Sequence, residues 1–483
     1  MYSSTLLDIF KSFSPKEIKD FEDFISSPYY NKNKNVIALY KLIKVEYPEF
    51  NKNTLAKESV YKKIYKGTKY NDASMRTLIF YLQEAAEKFL AVKNFESDGF
   101  SLNKHMLVEL NDRDLNKVFQ KNYKAATKQI EKTEKRGTPY FLNKFFYEFE
   151  NLYHLNKLYF DRDEKYVQKI NVEDVFSNLT HYYLIRTFGY YLYHLNVRRK
   201  FRVDRKFKLF EEMVYTHNTE DYKDVPVVNM FYYCLMLTLK PEQEENYFKA
   251  KELMRIHENE FTSIDVAEFY INLENYCKRK FKTDNINFLN ELFDIYKAEL
   301  KKKTYLFRGY MPDLFYKSVM DTAIRLKEFD WVKKFILDYK KELPEEHREN
   351  TFLQCMGVYE FNMENYEKAL ELISKIKFNE VYQKMDVKCL LNAIYYELDI
   401  ISSLESSIDA FRHFLKNDKI VPDERKVPYA IFNKNLLKLL KLKLKPDVEE
   451  LELFHDNISV GSYFNKEWLQ IKVKELIDKH SKK

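Results

Sequence analysis

Arg198, Arg199, Lys200, Arg202, Arg205 and Lys206 place six cations within nine residues, with Asp204 the one acid among them. Arginine is scarce in this chain and lysine abundant, so composition does not account for the cluster. A guanidinium fork takes a carboxylate or a phosphate through two bonds at once, and it stacks on flat rings. These six residues are therefore the candidate site for an anion or an acidic protein partner. They span the expected end of one helix and the start of the next, where cations also gain from the helix dipole.

A second basic region lies nearer the N-terminus. Residues 32–69 carry ten lysines against three glutamates. Lys62, Lys63, Lys66, Lys69 and Arg76 are the residues that would meet phosphates if this region bound nucleic acid. The plain alternative is a solvated face, which is what most charge runs are.

Other chemistry is hard to place. The 7 glycines are widely separated, so no glycine-rich loop can cradle a phosphate. For the same reason no Gly-x-Ser-x-Gly elbow exists. None of the 10 histidines stands three or four residues from another, so no helix offers a two-histidine metal face. His181 and His194 lie among tyrosines on one expected helix and read as core residues. Cys234, Cys277, Cys355 and Cys389 show no paired spacing and read as reduced core thiols. Tyr140, Phe141, Phe145, Phe146, Phe149 and Tyr153 form either a stacking platform or the seam of a helix pair. No catalytic, cofactor or metal residue is assigned, and a protein without enzymatic activity is expected.

The elements that position these residues should all be helices. With 7 Gly and 11 Pro in 483 residues, tight β-hairpins have little to turn on. The most apolar run, Met230–Leu239, is half the roughly 20 residues a membrane span needs. No secretory leader is evident at Met1–Phe13. A cytoplasmic protein without a membrane partner is expected. The length exceeds what one core supports, and breaks in the helical pattern suggest three parts: a basic helical bundle at 1–98, irregular helical hairpins at 105–310, and a repeat region at 311–483. Within the bundle, Ser14-Pro15-Lys16-Glu17 predicts a capped helix start, with Phe13 and Ile18 as its staple.

The repeat region has internal similarity. Leu326–Ile336 aligns with Met363–Ile373 at an offset of 37. With Gly357, Tyr366 and Ala369 in one unit and Phe329, Val332 and Pro344 in the other, the region resembles the tetratricopeptide repeat. Most other units lack the glycine and the small residue, so the likeness is to a diverged array. The stretch from Asn53 through Arg76 to Leu82 loosely resembles the helices of a winged-helix domain, without a wing after Leu90; a death-fold-like bundle fits the Ser-Pro-Lys-Glu start equally. The fold class that follows is all-α: an N-terminal helical bundle and then a superhelical array of antiparallel hairpins. The tetratricopeptide likeness implies a scaffold that binds a protein or peptide along a concave surface, without a cofactor. The second choice is a nucleic-acid-binding regulator that uses the basic bundle, with the array as partner-binding arm.

Overall fold

Ser14 shows how local sequence begins this fold. Its hydroxyl accepts the Glu17 N–H, the Glu17 carboxylate accepts the Ser14 N–H at 2.7 Å, and Pro15 takes the first helical position. Phe13 and Ile18 are both buried. The computed structural model describes residues 5–51, 53–159, 171–201, 210–217, 220–281, 286–377, 380–461 and 463–481. Every regular element among the described residues is helical. The chain divides into two compact units, Met1–Arg186 and Thr187–Lys483.

The first unit opens with α1 (Thr5–Ser12), α2 (Pro15–Ser26), α3 (Lys34–Lys44), α4 (Lys57–Ile64) and α5 (Asp72–Ser97). The 26-residue α5 is the spine, in contact with each of the other four. Aromatic edges fill the centre: Phe21 lies 4.9 Å from Tyr40, and Phe13 5.5 Å from Phe89. Such pairs add about 1 kcal/mol each beyond their burial. Three longer helices follow, α6 (Gly99–Asp112), α7 (Asn116–Glu131) and α8 (Thr138–Tyr159), and then α9 (Val172–Phe201), in which the division between units falls.

The second unit continues with α10 (Phe210–Thr216), α11 (Pro226–Leu239), α12 (Glu245–His257), α13 (Ser263–Phe281) and α14 (Asn287–Lys302). The apolar run at 230–239 lies in α11, which is buried almost all round. No described helix is long and apolar enough to cross a membrane. The last part comprises α15 (Asp313–Arg325), α16 (Phe329–Asp338), α17 (Arg348–Asn362), α18 (Tyr366–Ser374), α19 (Val381–Glu397), α20 (Ile401–Asn417), α21 (Asp423–Leu444), α22 (Val448–Ile458) and α23 (Lys466–His480).

Three successive hairpins here, α15/α16, α17/α18 and α19/α20, close with one shared turn. Lys327, Glu364 and Asp399 adopt φ of 60°, 59° and 55°, in the left-handed region. The residue after each donates its N–H to the carbonyl five residues back: Glu328 to Ala323 at 2.9 Å, Asn365 to Glu360 at 2.9 Å, and Ile400 to Tyr395 at 3.0 Å. The turn therefore recurs after 37 and 35 residues. It is also present between α6 and α7, where Asp114 has φ 56° and Leu115 donates to Leu110. Without glycine these positions carry backbone strain on the order of 1 kcal/mol each.

The shared turn sets how the hairpins stack. First helices touch in succession, α15 with α17, α17 with α19, and α19 with α21, while successive second helices meet at most slightly; α23 packs on both α21 and α22. The first helices therefore form one continuous row, the inner row. Within the α17/α18 hairpin Gly357 permits close approach: a Cβ there would lie 2.5 Å from Cδ1 of Ile373 on α18.

Candidate functional site

The inner row is where polar side chains from distant parts of the chain converge. On α17 and α19, Gln354 and Gln383 are buried, and the Gln383 amide donates to Gln354 at 3.3 Å. One turn further along α19, the Asp386 carboxylate accepts the Tyr429 hydroxyl of α21 at 2.7 Å. Burial pushes the Asp386 carboxyl above its ordinary value, against the opposing effect of that hydroxyl and of Lys317. Lys317, on α15, is half-buried and has no ion-pair partner among the described residues. Asp313, one turn before it, has a buried carboxylate oxygen with no hydrogen-bond partner among them. The two amides satisfy each other and Asp386 is held by Tyr429, so Lys317 and the Asp313 oxygen are the groups of this strip left for a partner to meet.

The other half of the row, toward the C-terminal ends of the first helices, is covered by the chain's own α23. The Trp468 indole N–H donates to Glu397 at 2.6 Å, and its ring meets Tyr396 edge-on at 5.5 Å. The Lys472 ammonium lies 3.1 Å from the same Glu397 carboxylate. Glu467 reaches Arg325 of α15 at 2.5 Å, across 142 residues of sequence. Just before the helix, Phe464 packs on Tyr429 and Phe432, both at 5.8 Å.

The basic residues singled out in the sequence lie elsewhere. Lys62 is on α4, exposed, and paired with Glu58 at 2.9 Å. Arg76 is on α5 and donates from Nε to Asp72 at 2.6 Å. The Tyr70 hydroxyl, Arg76 and Lys57 together hold the Asp72 carboxyl down at about 2. Lys63, Lys66 and Lys69 are exposed and have no acidic partner among the described residues. These five lie along 62–76, from the end of α4 to the start of α5, with two of the five tied to local acids. Of the arginine cluster, Arg198, Arg199 and Lys200 lie in the last turn of α9, and nothing is described of their side chains; Arg202, Arg205 and Lys206 lie outside the described residues.

The remaining chemistry-bearing residues are mostly interior. Tyr140 and Phe141 are buried, whereas Phe149 and Tyr153 are exposed, so the aromatic stripe is part seam and part surface. His194 is buried, and burial beside Lys144 pushes His181 down to about 4. All four cysteines are free and buried. Among the described residues no three His, Cys, Asp or Glu side chains are grouped to hold a metal ion. Trp468 was missed by sequence reasoning. Its signal is the four-residue spacing of Phe464, Trp468 and Lys472, which marks one helix face but not what that face meets. No protein-family profile, curated protein or solved structure matches the chain.

Proposed function

We propose that this protein is a non-enzymatic interaction scaffold, a diverged tetratricopeptide-like array that binds a protein or peptide partner along its inner row. The observation that carries this reading is the polar strip from Asp313 and Lys317 through Gln354 and Gln383 to Asp386 and Tyr429. Within it Asp313 keeps a buried carboxylate oxygen without a hydrogen-bond partner among the described residues, and an unpaired buried polar group costs about 1–3 kcal/mol, which a donor from a partner would relieve. The recurring turn at Lys327, Glu364 and Asp399 supports the repeat reading, since it gives successive hairpins one geometry. Affinity capture from the native cell extract, with full-length chain carrying Lys317→Glu and Asp386→Lys, tests it. Loss of a defined partner, with helicity unchanged, is the expected result; an identical set of captured proteins contradicts it.

A second reading rests on Lys63, Lys66 and Lys69, which have no acid to neutralise them among the described residues. If they contact nucleic acid, each phosphate neutralised contributes about −0.9 to the slope of log affinity against log salt on a duplex. Full-length chain that retains no DNA or RNA at about 50 mM salt removes this reading.

A further inference from the structure

The long helix α9 carries apolar side chains on two faces. Leu184, Ile185, Phe188 and Leu192 are buried on one of them, where Phe188 lies 6.0 Å from Tyr232. On the other, Val172, Phe176, Leu179, Tyr183, Tyr190 and Tyr193 are exposed, between 42 % and 68 %. These six step along the helix by four, three, four, seven and three residues; Arg186 stands in the gap of seven, and Val197 adds one more step of four. The repeat is a heptad. An ordinary surface helix repeats every 3.6 residues, whereas a repeat of 3.5 keeps one seam facing a second helix along its whole length. On a helix of 3.6 residues per turn all eight positions fall within an arc of about 100°. We propose that this seam pairs, antiparallel, with the same seam on a second copy of the chain. The proposal stands apart from the inner row and does not rest on the scaffold reading.

The seam itself selects the occupant and its direction. A two-fold interface must be its own complement. With the axis between residues 184 and 185, Val172 meets the partner's Val197, Phe176 the partner's Tyr193, Leu179 the partner's Tyr190, and Tyr183 the partner's Arg186. Every position of the seam finds a counterpart of the same kind except Arg186, which lands on an aromatic ring and gains from the face of that ring. A parallel pair would instead set Arg186 against its own copy inside the seam. Charge at the two ends points the same way. The first turn of α9 carries Glu173 and Asp174, and by sequence its last turn carries Arg198, Arg199 and Lys200. Antiparallel copies bring the acidic end of each to the basic end of the other, and their helix dipoles oppose; parallel copies stack like charge on like at both ends. The arginines that composition does not explain thereby gain a role, in fixing the direction of the pair.

Sedimentation equilibrium of the full-length chain reads the assembly directly. Twice the chain mass of 58.8 kDa at micromolar concentration is expected; 58.8 kDa throughout that range overturns the proposal. Phe176→Glu with Tyr193→Glu, both at exposed positions, should halve the mass and leave helicity unchanged. A dimer that survives both substitutions is held elsewhere and also overturns it. Direction is read by cross-linking, since all four natural cysteines are buried. Phe176→Cys and Tyr193→Cys chains, mixed and oxidised, should give a disulfide-linked dimer. Neither variant alone should do so, because like positions of an antiparallel pair stand about 25 Å apart along the axis. A link formed by Phe176→Cys alone means a parallel pair and overturns the assignment. If the glutamate variant does not fold, the wild-type mass and the cross-links decide. A monomeric wild type that loses a captured cellular protein on Phe176→Glu gives the seam to a different partner, which overturns it as well.

Discussion

The basic face around 58–76 and the inner row use charge in opposite ways. On that face Lys62 pairs with Glu58 and Arg76 with Asp72, each four residues apart, while in the rest of the bundle Lys93 meets Glu17 across 76 residues. In the row they are remote: Gln354 with Gln383, Asp386 with Tyr429, Glu397 with Trp468, and Arg325 with Glu467, separated by 29, 43, 71 and 142 residues. Local pairs stabilise a helix that would form anyway, by a few tenths of a kcal/mol. Remote pairs exist only when the whole array is folded, and they register one helix against the next. The lesson is that abundance of charge marks a surface, while long-range organisation of a few polar groups marks a surface built for matching.

Substitutions sharpen this contrast. The largest effect is expected at Trp468, where Ala removes three ring contacts and leaves Glu397 without its indole donor; about 2–3 kcal/mol should be lost from the second unit by urea denaturation. Phe80→Ala in the bundle, a ring that is 54 % exposed, should cost under about 0.5 kcal/mol. Next comes Gly357→Ala, whose new methyl meets Ile373 and should cost about 1–3 kcal/mol. Gly67→Ala in the bundle meets no atom within 4 Å and should cost only the strain of its φ of 76°, about 1 kcal/mol. Smaller still, and of opposite sign, Lys327→Gly and Glu364→Gly should each stabilise the array by about 0.5–1 kcal/mol, read as a raised Tm. An unchanged Tm would mean the shared turn is not strained.

Titration separates the two units as well. Burial pushes the Glu299 carboxyl of α14 well above its ordinary 4.5, with Glu274 adding to the effect. It stays neutral in the fold while the unfolded chain ionises, so its contribution is present below about 4.5 and is lost as pH rises toward the raised folded value. Glu299→Gln should raise the Tm of the second unit by a margin that widens from pH 5 to pH 8. His181, in the first unit, behaves in the opposite sense. Held at about 4 by burial and by Lys144, it is neutral in the fold, and stability is lost as pH falls from about 6.5 toward 4. His181→Gln should flatten that acid limb in thermal melts.

Much of the architecture was legible because it rests on short-range rules. The Ser14 capping box, the staple of Phe13 and Ile18, and the seat of Gly357 each depend on neighbours within a turn or a hairpin. The 37-residue offset between Leu326–Ile336 and Met363–Ile373 matches the interval between the turns at Lys327 and Glu364. The same turn at Asp114 was not legible, since the residues around it lack the glycine and small-residue spacing that marks Gly357 and Ala369. Nor was the covered half of the inner row. Arg325 and Glu467 are unremarkable charges in a chain with 32 % of them, and only the stacking of four hairpins brings them together. The pairing of Arg76 with Asp72, four residues before it, was likewise not read from the sequence.

The most direct test of the inner row as the recognition surface is hydrogen exchange on the full-length chain, alone and with a captured partner bound. Added protection concentrated in 348–397 is the expected result. Protection confined to 57–76, with the inner row unchanged, would contradict the account and return the binding function to the basic bundle.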